Sequence, residues 1–454
     1  MRSPRAPHRS RAASAPSPRR QRARNLAPRR ARALLFHALV IAAVSAASAG
    51  AQDLDPRVAR LIRRADVARS LEEIARRDEQ VLAWQRALAE IPAPTGQEGA
   101  RARYVQRQFQ IMGLGEIRID ETGNVLAVRP GPGSRPRLLL MAHLDTVFPL
   151  GTPLEVRVEG ERLVGPGVHD NARGVAVLLG VAEALARSPA RLDGPVLFAC
   201  TVGEEGLGDL RGAKALFASG GPARDVGYVL NLDGAGMDRI VNRALGSRRY
   251  RVAYQGPGGH SWNDFGLVNP ANALGLAIAR LARLAPSEDP RTSLNVGRVG
   301  GGTSINSIPR EAWMELDLRS EDAEALRGVE KAAMDALVAA LREERAARGD
   351  ERGQLELEVE LVGDRPAGAL PAESFLVRAA RAVTRALGVE PVLSVSSTDA
   401  NVPLALGVPA VSLGGGGVGG RAHSPHEWFD PRESRHGIER VFLLTLLLGE
   451  PAAG

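Results

Sequence analysis

At 454 residues the chain is long for a single hydrophobic core, so two domains are expected. A composition of 44% hydrophobic and 24% charged residues, with 50 glycines and 30 prolines, is that of a globular protein. The formal charge of +7 excludes less than it suggests: residues 1–52 carry eleven arginines and no acid, so the remainder is acidic by four and nucleic acid is not expected as a partner.

Residues 1–51 read as a secretory signal peptide. A basic stretch to Arg32 precedes apolar Ala33–Val44 and small residues from Ser45 to Ala51, with cleavage expected after Ala49 or Ala51. The apolar run is short for a bilayer span, so no stable membrane segment is expected after cleavage. The mature chain should be exported, periplasmic or secreted. Residues 53–90 are charged and helical in pattern, and Pro92-Ala-Pro-Thr-Gly96 breaks them. Strands at 137–142, 195–202 and 227–232 then alternate with helical stretches, the clearest at 171–187. That alternation predicts a mainly parallel sheet with helices on both faces. The single Cys200, inside such a strand, reads as a structural thiol and leaves no intramolecular disulfide.

Near residue 247 the grammar changes. Strand 249–254, helix 270–284, strands 294–299 and 311–318, helix 321–347 and strand 355–362 follow in the order β-α-β-β-α-β, which is ferredoxin-like. The α/β pattern then resumes with helix 373–387, apolar 408–413 and a final helix from about 436. The expectation is an α/β domain formed by 52–246 and 364–454, interrupted by an inserted α+β domain at 247–363.

The polar residues that stand out lie where the predicted strands end. "LLLMAHLDTVFP" gives His143 and Asp145, which share a strand face at i and i+2. "GPGVHDNARG" places Asp170 just before a helix, where main-chain N–H groups favour an anion. "TVGEEG" ends the run Pro195–Cys200 with Glu204 and Glu205 side by side; "VLNLDGAG" adds Asp233 and "GGRAHSPHEW" adds His423. Each alone has a plainer role: a helix N-cap for Asp170, a solvated loop for the glutamates, a turn for Asp233. Gathered on the rim where open α/β sheets bind ligands, they suit Zn²⁺ or a related divalent ion, and one carboxylate could bridge two. Adjacent carboxylates raise one another's pKa, which argues for divided labour, one glutamate on a metal and one moving a proton.

The series HLDT … HDNARG … GEEG … LDG … GPGGHS … GGTSINSIP … DLRS … AHSPHEW, from about residue 80 to 450, resembles the M20 family of co-catalytic metallopeptidases, typified by glutamate carboxypeptidase and peptidase T. The resemblance implies an α/β catalytic domain that cleaves amide bonds of small peptides with two divalent ions, Zn²⁺ first and Co²⁺ or Mn²⁺ as alternatives. By the family pattern His143, Asp170 and Asp233 hold one ion, and Asp170, Glu205 and His423 hold the other, with Asp170 bridging. Glu204 matches the general acid/base that deprotonates the attacking water and later protonates the leaving nitrogen, while Asp145 matches the residue orienting His143.

The inserted domain matches the family's lid. His260 corresponds to a histidine that in family dimers crosses to the partner's site and polarises the scissile carbonyl, which implies a homodimer through the lid. Asn306 and Arg319 match substrate-binding positions, the arginine as a carboxylate fork. Asp233 stands where carboxypeptidase and deacylase branches usually have Glu, and so resembles the aminopeptidase and dipeptidase branches. Asn-Ala-Arg-Gly replaces the common Lys-Gly after the bridging aspartate, His169 precedes it, and His426 and Glu427 are expected behind the ligands.

Two other classes compete. "GGGGVGGR" satisfies G-x-G-x-x-G from Gly414 and from Gly415, as in dinucleotide-binding proteins, but no helix pattern follows it. A non-catalytic protein on this fold should have lost Glu204 or a ligand, and all are retained. Among enzymes the alternative is an N-acyl amino acid amidohydrolase or carboxypeptidase, which attacks the same bond class by a different handle.

Overall fold

The computed structural model describes residues 54–450 except 134 and 350–352, so the signal-peptide assignment lies outside the described residues. Helices Leu54–Arg63 (α1), Ala65–Arg76 (α2), Asp78–Glu90 (α3) and Gly99–Met112 (α4) come first, followed by strands Gly115–Ile119 (β1), Val125–Arg129 (β2), Leu138–His143 (β3), Arg157–Glu159 (β4) and Arg162–Val164 (β5). Next are Ala172–Arg187 (α5), Val196–Thr201 (β6), Arg211–Phe217 (α6), Tyr228–Leu232 (β7) and Arg239–Ala244 (β8). The inserted unit comprises Gly246–Gln255 (β9), Gly259–His260 (β10), Pro270–Leu281 (α7), Thr292–Gly301 (β11), Ser307–Ile308 (β12), Glu311–Ser320 (β13), Ala323–Arg348 (α8) and Glu356–Arg365 (β14). The chain ends with Gly368–Ala369 (β15), Phe375–Ala386 (α9), Val392–Ser396 (β16), Asn401–Ala405 (α10), Ala410–Leu413 (β17), Val418–Gly420 (β18), Trp428–Asp430 (β19) and Arg435–Gly449 (α11). Among the described residues no helix is long and apolar enough to cross a membrane.

The large sheet runs β1-β2-β6-β3-β7-β17-β8-β15, with β16 also on β8. Its centre is parallel, β3 with β6 and β7, and β7 with β17; antiparallel pairs at β1/β2/β6 and β17/β8/β15 make the whole mixed. The central strands read as unbroken apolar runs because both faces are covered. Leu138, Leu140 and Ala142 of β3 enter one core with residues of α4, α5 and α11, while Leu139 and Met141 enter the opposite core with Leu216 and Val402. Parallel register brings the ends of β3, β6, β7 and β17 to one rim, with His143 level with Thr201 and Leu413 level with Leu232. Cys200 is buried within β6, where desolvation pushes its thiol up.

The second sheet is antiparallel in the order β11-β13-β9-β14, as the ferredoxin-like pattern requires, with α7 and α8 on one face. Both helices begin where the sequence supplies a cap: Asn269 accepts from Ala271 N ahead of Pro270, and Asp322 accepts from Ala325 N. Contacts that pin this lid to the large-sheet rim include two with the loop after β6. Arg249 Nη1 donates to Gly206 O at 3.1 Å, and Asp364 N donates to Asp209 Oδ1 at 2.9 Å.

Candidate active site

The acid–histidine cluster forms because α5 starts directly against the end of β7. Asn171 caps that helix, its Oδ1 accepting from Gly174 N at 3.0 Å and from Gly234 N at 3.1 Å. A Cβ on Gly174 would sit 2.1 Å from Asn171 Oδ1 and 2.7 Å from Leu232 O, so only glycine permits this approach. Asp170 and Asp233 are thereby held beside His143. His423 reaches the group from the loop after β18 with a left-handed backbone (φ 61°), a conformation that costs a non-glycine residue energy and fixes where the ring points.

The two oxygens of Asp170 face different histidines. His143 Nε2 lies 3.3 Å from Asp170 Oδ1 and 3.9 Å from Asp233 Oδ1; His423 Nε2 lies 3.2 Å from Asp170 Oδ2 and 3.0 Å from Glu205 Oε1. The ligand atoms of His143, Asp170 and Asp233 fall within 4.8 Å of one another, and so do those of Asp170, Glu205 and His423. These are the two sets the family pattern implied. His143, Glu204 and Glu205 satisfy the same distance, because Glu204 stands over the same space.

The electrostatics ask for concentrated positive charge. Burial pushes Asp233 up to about 7 against the pull of His143, with Asp170, Glu205 and Asp399 adding repulsion. Burial likewise drives Glu204 well above the usual carboxylate range, only partly opposed by His143 and Arg365. The histidines answer in kind: Asp170 and Glu205 hold His423 up at about 10, and in His143 a large desolvation penalty is outweighed by the neighbouring carboxylates of Asp145 and Asp170, which raise it well above its ordinary value. Asp170 Oδ1 is buried and accepts no aligned hydrogen bond. Two imidazoles and three carboxylates in two overlapping sets, with an orphaned oxygen at the shared member, are a donor set that fits two divalent cations.

Behind the ligands lies a cradle of main-chain contacts. Asp145 accepts from Glu204 N at 3.0 Å, Glu205 N at 2.9 Å and Thr95 Oγ1 at 2.8 Å, while its carboxylate is 3.5 Å from His143 Nδ1. The nearer contact of that ring nitrogen is Asp145 O at 3.2 Å. Burial pushes Asp145 up, but His143 and the two amides outweigh it and hold the acid down at about 2. Glu427 performs the same service for Asp170, accepting from Gly167, His169 and Asp170 N at 2.8–3.1 Å. His426 is exposed, and His169 is half-buried with neither ring nitrogen bonded. Arg173, in the Asn-Ala-Arg-Gly stretch, donates to Gly415 O at 2.7 Å and to Ser434 O at 2.6 Å, clamping the glycine run.

A cleft of about 480 Å³ opens over the cluster and is lined by His143, Asp170, Glu204, Glu205, Asp233 and His423. Arg319 of the lid lines it, its Nε held by Asp317 Oδ2 at 2.7 Å, and the other Asp317 oxygen binds Arg249 Nε at 3.2 Å. His260 of β10 pairs with Ser307 of β12, and Asn306 just before β12 accepts from Ser261 N at 2.9 Å, but both His260 and Asn306 are exposed and neither lines the cleft. The sequence pattern does not single out Arg239, Arg249, Arg365 or the Ser397-Thr398 pair, which also line it, nor Asp399, whose carboxylate accepts from Thr201 Oγ1 at 2.5 Å. "SSTDAN" follows β16 as the other motifs follow their strands, so that position was a usable signal; the isolated arginines had none.

The model of "Peptidase family M20/M25/M40" matches residues 139–446. The chain is 30% identical over 339 residues to the protein named as a succinyl-diaminopimelate desuccinylase in Mycobacterium tuberculosis, covering 73% of this chain and 88% of that protein. The crystal structure of aminopeptidase PepT from Bacillus cereus superposes with a TM-score of 0.67 at 22% identity, covering 82% of this chain and 99% of that one. A Bacillus subtilis structure described as a dinuclear metal-binding M20 peptidase superposes with a TM-score of 0.61 at 19% identity, covering 82% and 98%. The α/β sheet with its inserted lid is thus the fold of these proteins, and the chain belongs to peptidase family M20/M25/M40, as a hydrolase of amide bonds.

Proposed function

We propose that the protein is an exported hydrolase of small peptides that works with two divalent ions, zinc foremost. The observation that carries the reading is the pair of ligand sets sharing Asp170, with Glu204 beside them. Held by His143, Asp170 and Asp233 and by Asp170, Glu205 and His423, the ions would polarise a substrate carbonyl and acidify water. Glu204, with one carboxylate oxygen free of hydrogen bonds from the described residues, takes the proton of the attacking water and returns it to the leaving nitrogen. Arg319, aligned by Asp317, binds a substrate carboxylate.

His260 acts in trans, from a second copy joined through the lid. Its Nδ1 accepts from Trp262 N and Asn263 N at 3.2 and 3.3 Å, which leaves Nε2 to carry the proton and donate to an oxyanion. The ring lies outside its own chain's cleft, amid exposed Trp262, Phe265 and Ile305, and β11 is a free edge of the lid sheet. A second reading, an N-acyl amino acid amidohydrolase or carboxypeptidase, is favoured by the arginines on the cleft wall, whereas Asp233 favours the peptidase. Metal analysis with a panel of dipeptides, tripeptides and N-acyl amino acids separates the two. Chelation should abolish hydrolysis, and Zn²⁺, Co²⁺ or Mn²⁺ should restore it; full activity in metal-free protein refutes both. Export is supported by the arginine-rich leader alone, and N-terminal sequencing of protein recovered outside the cytoplasm should begin near Gly50 or Gln52.

A further inference from the structure

Arg365 ends β14, the strand by which the chain leaves the lid, and its side chain is only 7% exposed against 6% for Glu204. Its guanidinium is spent largely on that glutamate. Nη1 donates to Glu204 Oε1 at 3.0 Å and to Ser397 Oγ at 3.2 Å, and Nη2 donates to the main-chain carbonyl of Glu204. On the other side of the residue, Asp145 accepts the Glu204 N–H at 3.0 Å. The main chain of Glu204 is therefore held at both its N–H and its C=O, and one carboxylate oxygen is fixed, while Oε2 accepts nothing from the described residues. A glutamate has three rotatable side-chain bonds, and a group that must take a proton and then return it needs one free oxygen held in a constant direction. A planar guanidinium fork imposes that direction where a point charge would not.

We propose that Arg365 is a positioning residue for Glu204, setting Oε2 toward the cleft when the lid's return strand is seated. The proposal rests on the reading of Glu204 as the acid/base. Its second support is the company Arg365 keeps: neighbouring Asp364 is pinned through its N–H to Asp209, and Arg249 on the adjoining strand to Gly206 O, both in the loop that follows Glu205. The lid thus delivers the guanidinium to Glu204 as part of the same contact that docks it.

The test uses full-length, metal-loaded protein and a substrate the wild type cleaves. R365A should lose about 10²-fold in kcat, the scale of an ångström's misplacement, with KM within about threefold and the metal content unchanged. Free guanidinium at millimolar concentration should recover at least about tenfold in R365A and nothing in E204Q. R365K, which keeps the charge but cannot span both acceptors, should lose about tenfold. A kcat within about threefold of wild type in R365A refutes the proposal. So does a defect confined to KM, which would make Arg365 a substrate-binding group, or a loss of ions without guanidinium rescue, which would make it a strut. Should R365A fail to fold, a wild-type kcat in R365K refutes it equally. E204Q with undiminished rate overturns the underlying reading of Glu204; a dead E204Q beside an unimpaired R365A overturns the positioning role alone.

Discussion

Asp145→Asn separates two jobs that one carboxylate could perform. If Asp145 serves chiefly to orient His143, the substitution should weaken metal binding. The geometry favours the other job, because three donors converge on its oxygens at 2.8–3.0 Å: Thr95 Oγ1, Glu204 N and Glu205 N. An asparagine keeps the volume but presents an oxygen on one side only. Its NH₂ then faces either Glu204 N or Glu205 N, donor against donor. A buried N–H left without an acceptor costs about 1–3 kcal/mol. If that cost falls on the conformation in which the glutamates are correctly placed, it corresponds to about a 5- to 150-fold loss in kcat. The assay is steady-state kinetics paired with metal analysis of the same sample. We expect kcat to fall by that factor with about two ions per chain retained, and Thr95→Val, which leaves both glutamate amides their acceptors, to lose much less. A D145N enzyme with wild-type kcat, or one whose whole defect disappears at high metal concentration, refutes the amide-cradle argument.

The neighbouring glutamates should separate cleanly: Glu204→Gln should keep both ions and lose about 10²–10⁴-fold in rate, while Glu205→Gln should lose an ion, and the opposite pattern in metal analysis would reverse their roles. Inactive His260→Ala chains mixed with inactive Glu204→Gln chains should regain activity, since a mixed dimer has one site with both groups intact; demonstrated subunit exchange with no recovery refutes action in trans. In the lid, burial pushes Glu330 up, but Arg248 and Tyr250 outweigh it and leave the acid below its ordinary value. That pairing stabilises the lid above the unfolded-state value near pH 4.3 and is lost as pH falls through the lower folded value, so Glu330→Gln should flatten the acid limb of lid unfolding below about pH 5 in a fluorescence-monitored titration.

What could be read in advance follows from where the information sits in the chain. The central strands were legible because burial on both faces leaves them apolar throughout, and the ligands were legible because parallel strands must deliver their ends to one rim. His143, Asp170, Glu205 and Asp233 each sit beside their own local signal, an apolar run or a helix start, while His423 follows the glycine run. The lid was legible as a change from one element order to another. Strands β1 and β8 were not: β1 is a largely exposed edge strand and β8 carries exposed Arg239 and Arg243, so neither reads as an unbroken apolar run.

The residues that hold the ligands follow a different rule. Arg365 is 161 positions from the glutamate it grips, Glu427 is 257 from the Asp170 amide it accepts, and Asp399 is 198 from Thr201. Glu427 and Asp399 had a local signal in AHSPHEW and SSTDAN, but Arg365 had none, and the partner of each is set only by which two segments the fold brings together. Ligand types are constrained by the chemistry of the ion and can be recognised one motif at a time. Their supports are constrained only by where a main-chain N–H or C=O happens to face, so many residue types at many positions could supply them. Arg239 and Arg249, which also line the cleft, share this property, so the candidate ligands and Arg319 were legible motif by motif and the rest of the cleft wall was not.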